Sequence, residues 1–379
     1  MGEGRVRKKR AVGGQHGTPR MKILLVTSVD AWTRSVSTIH KWIDAGRALG
    51  HDIAVYGEAN PELPRLKFTT DLSNTDLALF VVQVPSDFPD MPYLARVLDG
   101  IPRKRRAIVD LWAHYNETIR VDHDFNHLEK LDGHQAWEWQ EAIAAVSDVI
   151  LQPALAPKRE GVKSFLFHGF DESAVQKKYK SASEAAAAWA SKPYGAIYVG
   201  SNWMRWHQVR ALLEGYESVR AKAGPACLIG WDWGARPGWA IEKAIMGVDS
   251  DPAFLERAGV EIRNGVRFDE IVPLLGQAKF APVIHRPLFN ALGFVTNRSF
   301  ETFYADTIPV LMLAPDFAEK IYGAAALKLI PSEGVAKFVT GALANPEGYW
   351  DAVLKTRAHL AAKHSYAVRI DELKKVAAR

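Results

Sequence analysis

The sequence predicts an α/β protein with parallel sheets, and three observations support this class. Short runs of β-branched and apolar residues recur along the chain, bounded by polar or glycine-containing turns. Segments with apolar residues at helical spacing lie between these runs. The length of 379 residues, with 48% hydrophobic and 24% charged residues, suits a globular chain of two or three domains. Because alternating strands and helices build parallel sheets, we expect doubly wound α/β domains.

The first half of the chain contains five predicted strands, at residues 21–27, 51–56, 77–84, 107–112 and 149–152. The first two flank a helix whose apolar residues recur from Val36 to Leu49 and which Gly50 ends. The loop after the first strand, residues 28–35, has no glycine. This loop excludes a glycine-rich dinucleotide fingerprint.

Polar residues follow the fourth strand. Asp110 lies at its carboxyl end and His114 comes four residues later. A histidine, or a carboxylate tuned by burial, can deprotonate or orient a hydroxyl group. A polar cap on the strand end is the alternative. His123 and His127 have a spacing that a metal could use, but no cysteine joins them and no known motif surrounds them.

The second half repeats the pattern, with strands predicted at 194–200, 225–230, 259–266, 279–287, 308–313 and 327–330. Before the fifth of these comes a polar loop, and then a short helix in which Ser299 is the predicted N-cap. Glu301 falls in the first turn of that helix, where the helix dipole favours a carboxylate. Ligands of open α/β sheets bind beyond strand carboxyl ends, beside helix N-termini. The surroundings of Glu301 are therefore a candidate nucleotide site.

The segment from Arg298 through Glu301 to Ile308-Pro309-Val310 resembles the donor-nucleotide segment of GT-B-fold glycosyltransferases, in particular the spore-maturation type. The family has a glycine where this chain has Asp306, and we expect aspartate to accept the left-handed turn. Many retaining members also carry an acidic residue about two turns upstream, whereas residues 289–300 contain none.

The resemblance implies a GT-B fold, with two Rossmann-like doubly wound domains facing a cleft. It implies that Glu301 binds ribose hydroxyls and that the loop after Gly200 approaches the pyrophosphate. Arginine there would offset the growing charge of the leaving diphosphate, unless it is an ordinary solvated helix residue. The predicted catalytic residues are Asp110, His114 and Arg205. The predicted donor-binding residues are Gly200, Ser201, Arg205, Arg210, His285, Arg298, Ser299 and Glu301.

The resemblance and the composition of the chain together predict four segments. Residues 1–20 form a disordered basic tail, 21–168 an acceptor domain, 169–358 a nucleotide-sugar domain, and 359–379 a terminal helix that crosses back to the first domain. The tail holds six Lys or Arg and one Glu, against a net charge of +5 for the whole chain. It lacks the apolar core of a signal peptide. Contact with a nucleic acid or with an anionic membrane surface is the alternative for this tail.

The single Cys227 excludes an internal disulfide and favours a reducing, cytoplasmic compartment. We predict a metal-independent transferase that moves a sugar from a nucleotide sugar to a sugar, lipid or protein acceptor. No cofactor and no nucleic-acid partner are expected. Two alternatives remain open, a catalytically silent GT-B-like binding or assembly protein and a sugar-nucleotide epimerase.

Overall fold

The computed structural model describes residues 20–32, 36–82, 94–113, 115, 120–121, 129–130, 143–234, 236–242 and 247–377. The predictions for His114, for His123 and His127, and for residues 1–19 lie outside the described residues. Within the described chain, the strands and helices alternate as the hydrophobic pattern predicts.

The first lobe is built on a parallel sheet of seven strands in the order β3-β2-β1-β4-β5-β8-β9. A separate antiparallel pair, β6 and β7, and the helices α1 and α2 belong to the same part of the chain. The bounds are β1 (Lys22–Val26), α1 (Val36–Ala48), β2 (Asp52–Tyr56), β3 (Phe68–Thr69), β4 (Leu77–Val82), α2 (Leu94–Gly100), β5 (Arg106–Asp110), β6 (Arg120–Val121), β7 (Glu129–Lys130), β8 (Ile150–Gln152) and β9 (Val162–Ser164).

Both faces of this sheet are covered at its centre, which explains why β4 is apolar and buried throughout. Successive side chains of a strand point to opposite faces. In β4, Leu79 therefore joins the core that contains Trp42 of α1, and the next residue, Phe80, joins the core that contains Val97 of α2. These residues are all fully buried.

The second lobe is built on a parallel sheet of five strands in the order β12-β11-β10-β13-β14. Its strands and the following helices have the bounds α3 (Ala182–Ala190), β10 (Tyr194–Val199), α4 (Trp206–Glu217), α5 (Arg220–Ala223), β11 (Ala226–Ile229), α6 (Gly238–Glu242), α7 (Pro252–Arg257), β12 (Glu261–Arg263), α8 (Ile271–Leu275), β13 (Ala278–Val283), α9 (Pro287–Leu292), α10 (Arg298–Tyr304), β14 (Ile308–Leu311), α11 (Pro315–Tyr322), α12 (Val335–Ala344), α13 (Pro346–His364) and α14 (Tyr366–Ala377).

The last helix returns to the first lobe. Tyr366, Ile370 and Leu373 of α14 are buried in the core that contains Trp42. The rings of Trp42 and Tyr366 meet edge to face, 6.2 Å between centroids. Apolar residues spaced three and four apart thus attach the C-terminal helix to α1. No helix in the described residues combines the length and hydropathy needed to cross a membrane.

Two local predictions are wrong. The segment predicted as a strand at 327–330 lies mainly in a 3-10 helix, Ala324–Leu329. Asp306 does not take a left-handed backbone. It is instead buried, with its carboxylate 2.8 Å from Lys192 Nζ and accepting a 2.8 Å hydrogen bond from Tyr179 Oη. An ion pair therefore holds this turn where the resemblance implies backbone freedom.

Candidate functional site

A cleft of about 570 Å³ opens between the two lobes, beyond the carboxyl ends of their strands. Much of the lining comes from loops that follow strands. Trp112 follows β5, Gly200 to Arg205 follow β10, Trp231 follows β11 and His285 follows β13. This is the position at which open parallel sheets bind ligands.

Glu301 lies at the junction of the lobes and lines the cleft. Its side chain is almost fully buried, and Oε1 accepts hydrogen bonds from Ser37 Oγ at 2.8 Å and Asn297 Nδ2 at 2.7 Å. Arg298 Nη1 lies 3.1 Å from Oε2, without the angle of a hydrogen bond. A carboxylate offers about four acceptor positions. Two hydrogen bonds therefore leave Glu301 with about two acceptor positions for further hydroxyl groups.

Helix α10 begins at Arg298, so the prediction of Ser299 as N-cap is wrong by two residues. Asn297 occupies the N-cap position, and Ser299 is buried inside the first turn. Ser299 Oγ lies 3.1 Å from Nε2 of His285 and accepts from the amide of Thr296 at 3.1 Å. Ser299 therefore supports the cleft from beneath and does not line it.

Arg205 and the loop after Gly200 form another part of the cleft wall. Arg205 Nη1 donates to the carbonyls of Ser201 at 3.2 Å and Trp203 at 3.1 Å. The Nε and Nη2 groups make no hydrogen bond to the described residues. A guanidinium has five donors in a fixed fork, so Arg205 keeps donors for an anion in the cleft.

The Gly200 loop lies directly against the strand-end turn of β11. A Cβ atom added at Gly230 would lie 2.2 Å from the carbonyl oxygen of Gly200. Trp233 Nε1 donates to the same carbonyl at 2.8 Å. Only glycine at position 230 allows the two turns to approach this closely, which holds the Gly200 loop in place.

Two cleft histidines, His168 and His285, are neutral near pH 7. Burial lowers the pKa of His168 to about 3. Burial, and secondly the positive charge of Arg205, lowers the pKa of His285 to about 3. Nδ1 of His168 lies 3.0 Å from Thr38 Oγ1, and that hydroxyl donates to Asn297 Oδ1 at 3.0 Å. His168 is therefore a neutral hydrogen-bonding partner at the lobe junction, whereas His285 contacts Ser299 within the second lobe.

Tryptophans form an aromatic wall in the cleft. Trp203 stacks on Trp239 with centroids 6.1 Å apart, and Trp112 from the first lobe lies 6.3 Å from Trp203. The Arg286 guanidinium lies 4.7 Å from the Trp112 ring centroid and donates to its carbonyl at 2.8 Å. Trp231 and Trp239 remain 40% and 39% exposed. Such rings suit stacking on a base or a sugar.

The loops that carry these groups have strained backbone. Outside glycine, four described residues have positive φ, and three of them adjoin cleft residues: Ala113 at 61°, Met204 at 55° and Asp232 at 66°. A left-handed conformation costs such residues about 1–2 kcal/mol. Strain of this kind clusters at functional sites, and here it positions Trp112, Trp203 and Trp231.

Six of the predicted residues line the cleft together: Gly200, Ser201, Arg205, His285, Arg298 and Glu301. Asp110 and Arg210 do not. Asp110 is fully buried and accepts from the amides of Trp112 at 3.2 Å and Tyr115 at 2.8 Å, as a strand-end cap would. Arg210 pairs with Glu214 at 2.8 Å on the outer part of α4.

Sequence reasoning missed several cleft residues that tertiary packing supplies, including Ser37, Trp112, Trp203, Trp239 and Asn297. Helix geometry could have indicated that Arg210 does not share a site with Arg205, because the two residues lie about 140° apart around the helix. Nothing local indicates that Ser37 meets Glu301, because 264 residues separate them.

Both aspartates of the Asp249-Ser250-Asp251 triplet contact other parts of the second lobe. Asp251 caps α7 by accepting from the amide of Phe254 at 2.9 Å, and Asp249 lies 3.3 Å from Arg236. Within the described residues, no three His, Cys, Asp or Glu side chains converge as metal ligands would.

No protein-family model matches the chain. No curated protein matches it either. Solved structures do. An "alpha-glucosyltransferase in complex with UDP-glucose and DNA containing an abasic site" superposes with a TM-score of 0.61 at 11% identity, covering 95% of this chain and 99% of that one.

Two further neighbours agree. An alpha-glucosyltransferase with UDP and a 13-mer DNA containing a HMU base gives a TM-score of 0.62 at 10% identity, covering 95% of this chain and 100% of that one. T4 phage BGT with UDP and Mn2+ gives 0.51 at 14% identity, covering 95% and 99%. The chain has the GT-B fold.

This comparison corrects one prediction. No nucleic acid was expected among the partners, and that expectation is wrong, since two of the three neighbours are complexes with DNA. Composition could not reveal this, because outside the basic tail the charge bias of the chain largely vanishes.

Proposed function

We propose that this protein is a glycosyltransferase that transfers a sugar, glucose by analogy with its neighbours, from a uridine-diphosphate sugar to a nucleic-acid acceptor. The observation that carries the proposal is the convergence of Glu301, Arg205 and the Gly200 loop on one cleft of a GT-B fold. A buried carboxylate can accept hydrogen bonds from the hydroxyl groups of a ribose, and an arginine with unused donors can bind the diphosphate attached to it.

The donor would lie against the second lobe. Glu301 would accept from ribose hydroxyls, as the resemblance implies. Arg205 would bind the diphosphate, whose negative charge grows as it leaves, while the amides of Gly200, Asn202 and Met204 donate to backbone carbonyls and hold the loop in place. Arg298, whose Nη1 lies 3.1 Å from Oε2 of Glu301, would keep that carboxylate oriented.

The acceptor would lie against the first lobe and the aromatic wall. Trp112 and Trp203 approach each other from opposite lobes, and Arg286 lies over Trp112. Flat aromatic faces bind bases by stacking, each worth about 1–3 kcal/mol. This arrangement favours an acceptor with a planar ring, and the neighbours solved with DNA supply the class.

The test combines the protein with UDP-glucose and a 13-mer DNA duplex that contains a hydroxymethylated base. Mass spectrometry of the DNA follows added hexose, and release of UDP is measured in parallel. We expect hexose on the DNA, lost with unmodified DNA and reduced at least about 100-fold in Arg205→Ala.

Other outcomes would replace the proposal. A changed sugar nucleotide in the absence of acceptor would indicate an epimerase. Binding of UDP-glucose without turnover on any acceptor would indicate a binding protein. Metal independence remains a prediction, and the same assay with EDTA or with added Mn²⁺ tests it.

A further inference from the structure

A second cavity, of about 400 Å³, lies where the last two helices meet the edge of the first sheet. One side is formed by β8, β9 and the segment after them, including Lys163 and Phe165. The other side is formed by the end of α13 and by α14. This cavity shares no lining residue with the cleft between the lobes. Nothing in the proposed transfer reaction uses it.

The rim of this cavity is positively charged. Lys163, Lys363 and Lys375 line it, and none of them makes a hydrogen bond or ion pair within the described part of the chain. All three are exposed. Like charges held around a concave surface repel one another and focus a positive potential into the cavity.

Beneath the rim lies a buried arginine with an unmet donor. Arg369 is 2% exposed and donates from Nη1 to Glu372 at 2.6 Å and from Nη2 to Nδ1 of His364. Its Nε is buried without a partner. Burial, and secondly Arg369 itself, lowers the pKa of His364 to about 3, so this imidazole is a neutral acceptor near pH 7.

The charges around the cavity therefore do not balance. Among its described lining residues, four cationic side chains face a single carboxylate, that of Glu372. Buried donors are almost always paired in native proteins. The missing negative charge points to an anion with several acceptor oxygens at the lysine rim, and the positive charge of Arg369 beneath the rim adds to the attraction.

We propose that this cavity is a binding site for a phosphate group, held by Lys163 from the first sheet and by Lys363 and Lys375 from the C-terminal helices, above Arg369. A phosphate provides strong acceptors for all of these donors. Bound there, it joins α14 to β9 and so strengthens the attachment of the C-terminal helix to the first lobe. The phosphate comes either from solution or from the backbone of a nucleic acid.

The first experiment uses inorganic phosphate as the probe and sodium chloride at equal ionic strength as the reference. The midpoint of thermal unfolding and calorimetric binding are measured for the wild-type chain. At ten times Kd, phosphate should raise the midpoint by about 2 °C. The effect should disappear in the double variant Lys163→Gln/Lys375→Gln, which changes only exposed side chains.

Two variants control for other sites. Lys355→Gln removes an exposed lysine of α13 that already pairs with Asp351 at 2.8 Å, and it should keep the phosphate effect. Arg205→Ala removes the cleft cation and should also keep it. Absence of any phosphate effect beyond chloride, its persistence in the double lysine variant, or its loss in Arg205→Ala would each overturn the proposal.

The second experiment identifies the source of the phosphate, using fluorescence anisotropy of a labelled 13-mer DNA duplex. Weakening of DNA binding by about tenfold in the double lysine variant, with no change in Lys355→Gln, supports the site and assigns it to the nucleic-acid backbone. Unchanged DNA binding alongside lost phosphate binding supports the site as one for a free phosphate.

Discussion

Replacing Glu301 by glutamine isolates the charge of the residue on which the donor site depends. Glutamine preserves the size of the side chain and keeps one acceptor oxygen for Ser37 and Asn297, which now lie 2.8 Å and 2.7 Å from Oε1. It replaces Oε2 with an amide group that faces Arg298, at present 3.1 Å away. The substitution therefore loses an ion pair and an acceptor without creating a cavity.

The expected magnitude follows from these contacts. Hydrogen bonds to a charged group contribute about 1 kcal/mol more than neutral ones, so two ribose bonds weaken by about 2 kcal/mol together. That difference corresponds to an increase of about 30-fold in the Kd of UDP. Loss of the Arg298 ion pair, whose arginine side chain is 20% exposed, should lower the free energy of unfolding by about 1–2 kcal/mol.

Calorimetric titration with UDP measures the change in affinity, and urea unfolding measures the change in stability. Arg210→Gln is the matched control, because Arg210 was also predicted to bind the donor but does not line the cleft. Its Kd for UDP should change by less than about twofold. A folded Glu301→Gln variant that binds UDP as tightly as the wild-type chain would refute the role of this carboxylate.

Two further predictions concern the cleft. Gly230→Ala places a Cβ 2.2 Å from the Gly200 carbonyl oxygen, so the Kd of UDP should rise about tenfold or more. Gly234→Ala is the control, because its Cβ meets nothing within 4 Å and the Kd should stay unchanged. Equal Kd values for the two variants in calorimetric titration would contradict the prediction. Burial lowers the pKa of His168 to about 3. Below pH 6.5 the unfolded chain therefore binds more protons than the folded chain, and the free energy of unfolding decreases as the pH is lowered. Between pH 7 and pH 5, His168 should account for a decrease of about 2 kcal/mol in the free energy of unfolding. Urea unfolding of His168→Asn over the same interval should therefore show a decrease that is smaller than that of the wild-type chain by this amount.

Local sequence determined the secondary structure well because its signals are local. The β-branched runs at residues 22–26 and 194–199 are strands, and the helical spacing after Val36 is a helix. It failed where short-range signals compete. Residues 324–329 contain a run of alanine and leucine that suits either a strand or a helix, and tertiary packing of Ala326 and Leu329 into the second-lobe core selected the 3-10 helix.

The candidate site was predicted in part. The position of Glu301 in the first turn of a helix, and the loop after Gly200, follow from strand and helix boundaries, and the structure places both groups on one cleft. Arg210 and Asp110 do not line the cleft, because position near a strand end does not determine the direction of a side chain. Asp110 caps its own loop, and Arg210 pairs on the helix with Glu214.

The amino-acid sequence by itself determined the alternation of strands and helices and the glycine, arginine and glutamate around which a nucleotide site can form. Only the tertiary structure decided which distant residues meet there, namely Ser37 beside Glu301 and Trp112 beside Trp203. It also brought the unpaired lysines of the second cavity together. The physical reason is range, since propensities and caps act over a few residues, whereas these contacts depend on how two separate sheets and a returning helix pack.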